Sequence, residues 1–516
     1  MLGRPLLFSL FLSFMPGLFL KASPTPTSLP EPILSLMHQP KYQHAFWGVY
    51  VKDLETEEIV FNLNDDRFFL PASTTKMFSV AALLHTFGDD YRFKTPVFAI
   101  GSLKEGRLTG DLILVAQGDL AFGGRSKGPD ELSFTKLDHT LANNLPGVLL
   151  TPEDPLYGLN DLAKQIKQQG IHEINGNILI DDRLFEITEK REMTLSPLFI
   201  NENVIDLILN PTAEGQKAQI DWRPKVEGYT IINEVRTVGD KEALDLQMDS
   251  DESGKQITIK GSLPIGEKDI IRTFAIKDIN QFAQTAFIQA LRSQGIAVNL
   301  DRHHAPSLPP SDILQKLAPI AVWTSPPLFE YAKLILKVSH NLGADLIPLL
   351  LAAKKGKKTF DDGMEELGQF LIQDVKISPD SFVFIDAAGG DGNRLTPLAE
   401  VQLLEYMSKK PQAQFEHFFN ALPILGVDGS LADVAKNTAG AGKVWAKTGS
   451  GLSFNLATRT YFLTTKTFAG YIKSKNGHLL AFMVSVNNGT MPALKDVFAI
   501  MEDVGQITSL IYEAAP

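Results

Sequence analysis

Apolar and polar positions change texture several times along the chain. Behind the basic start Met1 to Arg4, Pro5 to Leu20 is almost wholly apolar, and it gives way to Lys21-Ala22-Ser23 and a Pro/Thr/Ser stretch reaching Pro32. That is the pattern of a secretory signal at residues 1–23, cut near Ala22 or Ser23. The run is short for a membrane span and is interrupted by Pro16 and Gly17. The protein is therefore expected in a periplasm or cell-wall space, with a loose membrane association left open. Next, Ala45 to Val51 and Glu58 to Asn62 read as two strands joined across the polar bend Asp53 to Glu57. A helix follows from Ser73 to about Phe87, with Gly88 as its stop.

Past Asp90 short β-rich runs such as Asp111 to Val115 and Gly176 to Ile180 alternate with Gly/Asp turns and a few helices, Asp161 to Gln168 among them. Residues 211–276 are nearly all strand and turn, and a helix from about Asn280 to Gln294 closes this region. Helical patterns then return: Leu328 to Val338 and Ala344 to Ala353 flank a polar break at Ser339-His340-Asn341-Leu342-Gly343. Gly442 to Lys447 reads as a strand ending in Thr448-Gly449. Phe468 to Lys473 and Leu479 to Val486 form a hairpin over Ser474 to Gly477, and a periodic helix, Ala493 to Ala514, ends the protein. The expected organisation is one domain made from both ends of the chain, residues 33–90 and 311–516. Residues 91–310 are inserted into it: a mixed α/β part (91–210 and 277–310) with a nested β-rich module (211–276).

Composition narrows the chemistry. At 516 residues about three domains are expected, and 44% apolar with 21% charged residues is globular. A net charge of −11 without a basic block excludes a nucleic-acid footprint. There is no cysteine, hence no disulfide, thiolate metal site, Cys nucleophile or lipoprotein anchor, and the ten histidines lack metal-ligand spacing. No metal or cofactor is expected.

Candidate chemistry lies at Leu70-Pro71-Ala72-Ser73-Thr74-Thr75-Lys76. Residues i and i+3 share a helix face, so the Lys76 amine falls beside the Ser73 hydroxyl. A serine needs an adjacent base, which a desolvated lysine supplies. Alone the pair says little: Ser133-Phe134-Thr135-Lys136 also matches, without an apolar helix behind it. Order adds the weight. Ser-x-x-Lys, then Ser339-His340-Asn341, then Lys447-Thr448-Gly449 is the motif set of β-lactamases and penicillin-binding proteins. Each member falls where it is needed: at a helix start, in an inter-helix loop and at a strand end. Ser73 can attack a carbonyl, and Lys447 as a second cation would push Lys76 toward neutrality. Ser339 can pass a proton to the leaving amine, and Asn341 can orient Lys76 and hold a substrate amide. Lys447 and Thr448 can hold a carboxylate, Gly449 leaves room for backbone approach, and the N–H groups of Ser73 and Ser450 form an oxyanion hole. Taken singly, the same residues read as a helix cap, loop caps and a strand turn.

With these motifs the chain resembles the class C low-molecular-mass penicillin-binding proteins, the D-alanyl-D-alanine carboxypeptidase/endopeptidases, over most of residues 40–515. Asn201-Glu202-Asn203 and Leu422 to Leu431 match that family's flanking patterns. The resemblance implies a penicillin-binding/serine β-lactamase-like α+β fold, an antiparallel sheet flanked by helices plus an all-helical part, carrying the large mixed and β-rich insertion. It implies Ser73 as acylated nucleophile, Lys76 as base, Ser339 and Asn341 as second motif, and Lys447, Thr448, Gly449 and Ser450 as substrate-binding residues. Peptidoglycan stem peptides and cross-links are the implied substrates and β-lactams the covalent inhibitors; a protein partner is unknown. The sequence departs from the family at His340, at Asp345 where glutamate is usual, at Gln117 to Leu120, and at Asp386-Ala387-Ala388-Gly389-Gly390. Ser450 to Thr467 is also long, and is expected to lengthen a loop beside the site. A β-lactamase or esterase on the same fold, and a silent peptidoglycan-binding protein, are the competing readings.

Overall fold

The computed structural model describes residues 28–301, 307–491 and 493–515. The expected signal at residues 1–23 lies outside them.

The two ends of the chain build one five-stranded antiparallel sheet. Across it run Ile59–Leu63, Phe46–Asp53, Leu479–Met491, Thr460–Lys473 and Val444–Asn455, the last forming one edge. Strand side chains alternate between faces, and here both faces are buried. Val49, Val51, Phe468, Phe482 and Val484 pack on the helices Glu31–Met37 and Asp496–Ala514 through Ile33, Ile500, Val504 and Ile507. Tyr50, Ala469, Tyr471, Ala481 and Met483 turn to the other side and join the core of the helical part. Burial on both faces explains why Leu479 to Val484 reads as an unbroken apolar run.

The helical part surrounds Thr75–Phe87, whose residues 75–84 are all buried. A helix enclosed on all sides needs no polar face, hence its run of Val, Ala and Leu. Leu328–Lys337, Asn341–Lys354, Phe360–Phe370, Pro397–Ser408 and Gln412–Ala421 complete this part. Gly88 ends the central helix with φ +84°, its N–H on the Leu84 carbonyl.

The insertion has its own core. Lys94–Lys104, Arg107–Val115, Glu173–Asn175, Ile178–Asp181, Ala297–Asn299 and Ala321–Thr324 form a mixed sheet on which Tyr157–Gln168 and Ile279–Ser293 pack. Two boundaries differ from the sequence reading. Ala321–Thr324 pairs with the strand that opens the insertion, so the inserted sheet runs to Thr324 and not 310. The β-rich module starts at Val204 instead of 211, because Val204–Asn210 is the central strand between Gln219–Arg223 and Ile270–Ala275. A second three-stranded sheet, Thr230–Val238, Gln256–Pro264 and Asp245–Ser250, completes the module.

Near the motifs, the edge strand does not stop at Thr448-Gly449. It runs to Asn455 and returns as Thr460–Lys473, so Ser450 to Thr467 is mostly a long hairpin and not a loop.

Candidate active site

Leu70 to Ala72 brings the chain to the central helix under constraint. The Thr465 hydroxyl donates to the Leu70 carbonyl at 2.7 Å, Ala72 takes a left-handed φ of +45°, and Ser73 sits in a single 3-10 turn before the helix begins at Thr75. A non-glycine residue at positive φ is strained and must be held by its surroundings. Gly389 and Gly449 do this by contact. A Cβ on Gly389 would lie 1.8 Å from the Ala72 carbonyl oxygen, and one on Gly449 would lie 2.2 Å from that of Pro71. Gly449 thus makes room for the backbone that presents Ser73. Under the turn, the Thr74 hydroxyl donates to Glu400 at 2.8 Å, and burial pushes the Glu400 carboxyl up to about 8.

The Lys76 amine is fully buried and donates to Ser73 Oγ at 2.8 Å and to the Ala388 carbonyl at 2.6 Å. Burial pulls it down to about 7, with Asp345 and Asp386 working against that and Arg191 with it. The cation acting on Lys76 is therefore Arg191. Lys447, expected in that role, is itself held well below the usual lysine value by burial and by its neighbours Lys76 and Lys466.

Ser339 holds φ +63° between two helices. Its hydroxyl accepts from Lys447 Nζ at 3.0 Å, and the same amine donates to the Thr448 carbonyl at 2.7 Å. Asn341 opens the following helix, and the Lys76 amine bonds to Ser73 and Ala388 rather than to it. The Thr448 hydroxyl shares a 3.1 Å hydrogen bond with Ser430. Ala446 N–H points away from the neighbouring strand and donates to Pro423 O at 2.8 Å. With a period of two, Thr448 and Ser450 N–H point to the same open edge, toward the Ser73 turn.

His340, between the two motif residues, is buried. Its Nδ1 accepts the Gly343 N–H at 2.9 Å, capping the helix, and its Nε2 meets Glu202 at 2.9 Å. Glu202 and Asp138 push the ring up to about 9 against burial. A doubly protonated ring could not accept the Gly343 N–H, so we assign the neutral tautomer that donates from Nε2. Glu202 belongs to Asn201-Glu202-Asn203, all three at positive φ. It also receives Arg125 Nε at 2.5 Å and His139 Nε2 at 3.1 Å, while the other His139 nitrogen lies 2.7 Å from Asp206. Asp138, His139 and Glu202 converge as metal ligands do. Arg125 takes the place of a cation, however, and both His139 nitrogens are engaged by carboxylates, so no nitrogen lone pair is offered. The Ser133 and Lys136 match is dispersed: Ser133 bonds to Glu153 and Lys136 to Asp433.

Sequence reasoning missed Lys466 and Arg191. Lys466, opposite Ser450 in the hairpin, donates to its hydroxyl at 2.5 Å, and burial pulls its amine down to about 7. Reading Ser450 to Thr467 as strands would have placed it there.

A serine and a buried, near-neutral lysine one turn apart, facing Ser339 and an open strand edge bearing Lys447-Thr448-Gly449, define the penicillin-binding class of serine enzymes. The family model described as D-Ala-D-Ala carboxypeptidase 3 (S13) matches residues 29–505, and the chain belongs to that family of serine-type D-Ala-D-Ala carboxypeptidases. It is 26% identical over 513 residues to a D-alanyl-D-alanine carboxypeptidase of Actinomadura sp. (strain R39), covering 94% of this chain and 85% of the relative. To D-alanyl-D-alanine carboxypeptidase DacB of Haemophilus influenzae it is 24% identical over 467 residues, 85% of each chain. The crystal structure of penicillin binding protein 4 (dacB) from Haemophilus influenzae shares the fold, with a TM-score of 0.68 at 21% identity over 93% of this chain and 98% of that one. Among the described residues no helix is long and apolar enough to cross a membrane.

Proposed function

We propose that the protein is an exported carboxypeptidase and/or endopeptidase acting on peptidoglycan stem peptides and cross-links through an acyl-Ser73 intermediate. The observation that carries the reading is the 2.8 Å contact between Ser73 Oγ and a lysine amine at about 7. At neutral pH a large fraction of Lys76 is uncharged and can take the hydroxyl proton as Ser73 Oγ bonds to the carbonyl carbon of a D-Ala residue. The N–H groups of Ser73 and Ser450 receive the oxyanion. The C–N bond then breaks, and Ser339, bonded to Lys447, passes the proton that Lys76 took from Ser73 on to the leaving amine. Lys447, Thr448 and Ser450 hold the substrate's terminal carboxylate, and Asn341 its amide. Water subsequently cleaves the ester and Ser73 regains its proton.

β-Lactams follow the same attack, and the carboxyls around the site favour slow release of the product. Glu400 is mostly protonated at neutral pH and faces Thr74, and Asp345 is paired with Arg191. Neither is free to activate water, which supports this reading over a β-lactamase. Incubation with penicillin is expected to leave one long-lived penicilloyl group on Ser73 by mass spectrometry, and none on Ser73→Ala. Rapid turnover of penicillin would favour the β-lactamase; no adduct together with no D-Ala release from a pentapeptide would sink the enzymatic reading.

Gly449→Ala tests the packing that presents Ser73. The added methyl must push the edge strand off the Pro71 carbonyl, and displacements of about 1 Å can cost about 100-fold. Acylation by a fluorescent penicillin is expected to slow by about that factor, and the thermal unfolding midpoint to fall as well, because the overpacking costs about 1–3 kcal/mol.

A further inference from the structure

The insertion sends one short hairpin, Thr188–Lys190 with Met193–Leu195, against the catalytic part. Its two-residue turn is Arg191-Glu192, with φ of +51° and +62°. Such a turn favours glycine or asparagine, so residues of this size there need a reason. Arg191 supplies one. Its Nε donates to Asp345 Oδ2 at 3.0 Å and its Nη2 to Asp386 Oδ2 at 2.8 Å. Asp386 heads the loop beneath Lys76. Its Oδ1 accepts the N–H groups of Ala388, Gly389 and Gly390 at 3.1, 2.7 and 2.9 Å. That same loop offers the Ala388 carbonyl to Lys76 and the Ala387 carbonyl to the Ser79 hydroxyl at 3.0 Å, and its Gly389 abuts Ala72. One guanidinium therefore fixes the loop that receives the Lys76 amine.

It also sets the charge there. Lys76 faces Asp345 from helix Asn341–Lys354, Asp386 from the loop, Arg191 from the hairpin and Lys447 from the edge strand, with Lys466 behind Lys447. Arg191 is itself faced by Asp345 and Asp386. With its charge removed, two carboxylates would confront Lys76 uncompensated and favour the ammonium form.

We propose that Arg191 is a positioning residue for Lys76: from the inserted region it neutralises Asp345 and Asp386 and holds the 386–390 loop, so that Lys76 meets Ser73 as the free amine. This rests on the reading of Ser73 as nucleophile and Lys76 as its base. The insertion then contributes to the chemistry of the site as well as to access.

The test is the pH dependence of Ser73 acylation by a fluorescent penicillin, measured on the full chain. In Arg191→Gln the acid limb is expected to move up by about one pH unit, a tenfold loss at low pH, with recovery near pH 9. Arg191→Lys, which keeps the charge but not the fork, should fall between the two. Asp345→Asn in the Arg191→Gln background should bring the limb back down, and Asp345→Asn alone should lower it below the parent's. That single variant carries the test should Arg191→Gln not fold. A parent-like profile in Arg191→Gln, an equal loss at every pH, or an unmoved limb in Asp345→Asn would each overturn the proposal. A parent that takes no penicillin at all would instead defeat the reading of the site.

Discussion

A Lys76→Met protein is expected to be acylated at Ser73 about 10³-fold more slowly than the parent, the scale of losing a positioned base. Methionine keeps the length and most of the volume of the buried stem, so the helix that surrounds it should keep its packing. In the parent, the rate should rise with pH through about 7, because the base is the unprotonated amine. The variant should lose that rise as well as the rate, since the titrating group itself is gone. Rates measured between pH 5.5 and 9.5 check both. A variant that is slow but keeps a limb near 7 would assign the base elsewhere, and the buried Lys466, also at about 7, would then be the residue to replace.

The second large effect concerns stability. Glu202→Ala should destabilise the protein by about 3–5 kcal/mol, the cost of breaking a buried ion pair from one side. It removes one of two carboxylate partners from the buried Arg125 guanidinium, which keeps Asp138, and from the charged, buried His139 ring, which keeps Asp206, and it takes the 2.9 Å acceptor from the His340 N–H. Glu202→Gln keeps an acceptor oxygen and should lose less. Thermal unfolding midpoints of the three proteins rank them, and equal midpoints would show that the cluster contributes little. Its pH dependence has a definite sign. Burial opposes the charge on His139, but Asp206 and Glu202 hold it up to about 10. Its contribution is complete below its unfolded value of about 6.5 and is lost as pH rises through the folded one. Glu202 is lowered, so its share is lost on acidification instead. Because His340 caps the helix that follows Ser339, Glu202→Ala should slow acylation too.

Much of this was legible from short motifs. Ser73 with Lys76, Ser339 with Asn341, and Lys447-Thr448-Gly449 are local patterns whose residue types carry their chemistry, and the lack of an apolar helix behind Ser133 set that match aside. The family resemblance and the sheet-plus-helix class rested on the same signals. Partnerships made across the fold were not legible. Asn201-Glu202-Asn203 was visible as a pattern, but nothing local says that Glu202 reaches Arg125, His139 and His340. Arg191 sits in a charged Glu-Lys-Arg-Glu run that reads as solvated surface. Lys466 lies in a Ser/Thr/Gly-rich stretch whose polar composition suggests a loop, and its strand is secured by backbone pairing on both sides, to Ser450 and Val486. Ala321–Thr324 was misplaced for a related reason: pairing with a strand more than 200 positions earlier leaves no local trace.

The sheet made from both chain ends has a consequence for how the protein comes into being. Trp47 lies beside Val486, and Phe46–Asp53 has only its short hairpin partner until Leu479–Met491 has been synthesised. Contacts that remote form late, whereas the insertion, with its own core, can condense as a unit during chain growth. Ser73 then waits beside an unfinished sheet, since the strand that brings Lys447 is also made near the end of translation. A chain that stops short of Val444 lacks the edge strand that abuts the backbone before Ser73. Topology alone thus ties completion of the Ser73 site to the arrival of the C-terminal strands.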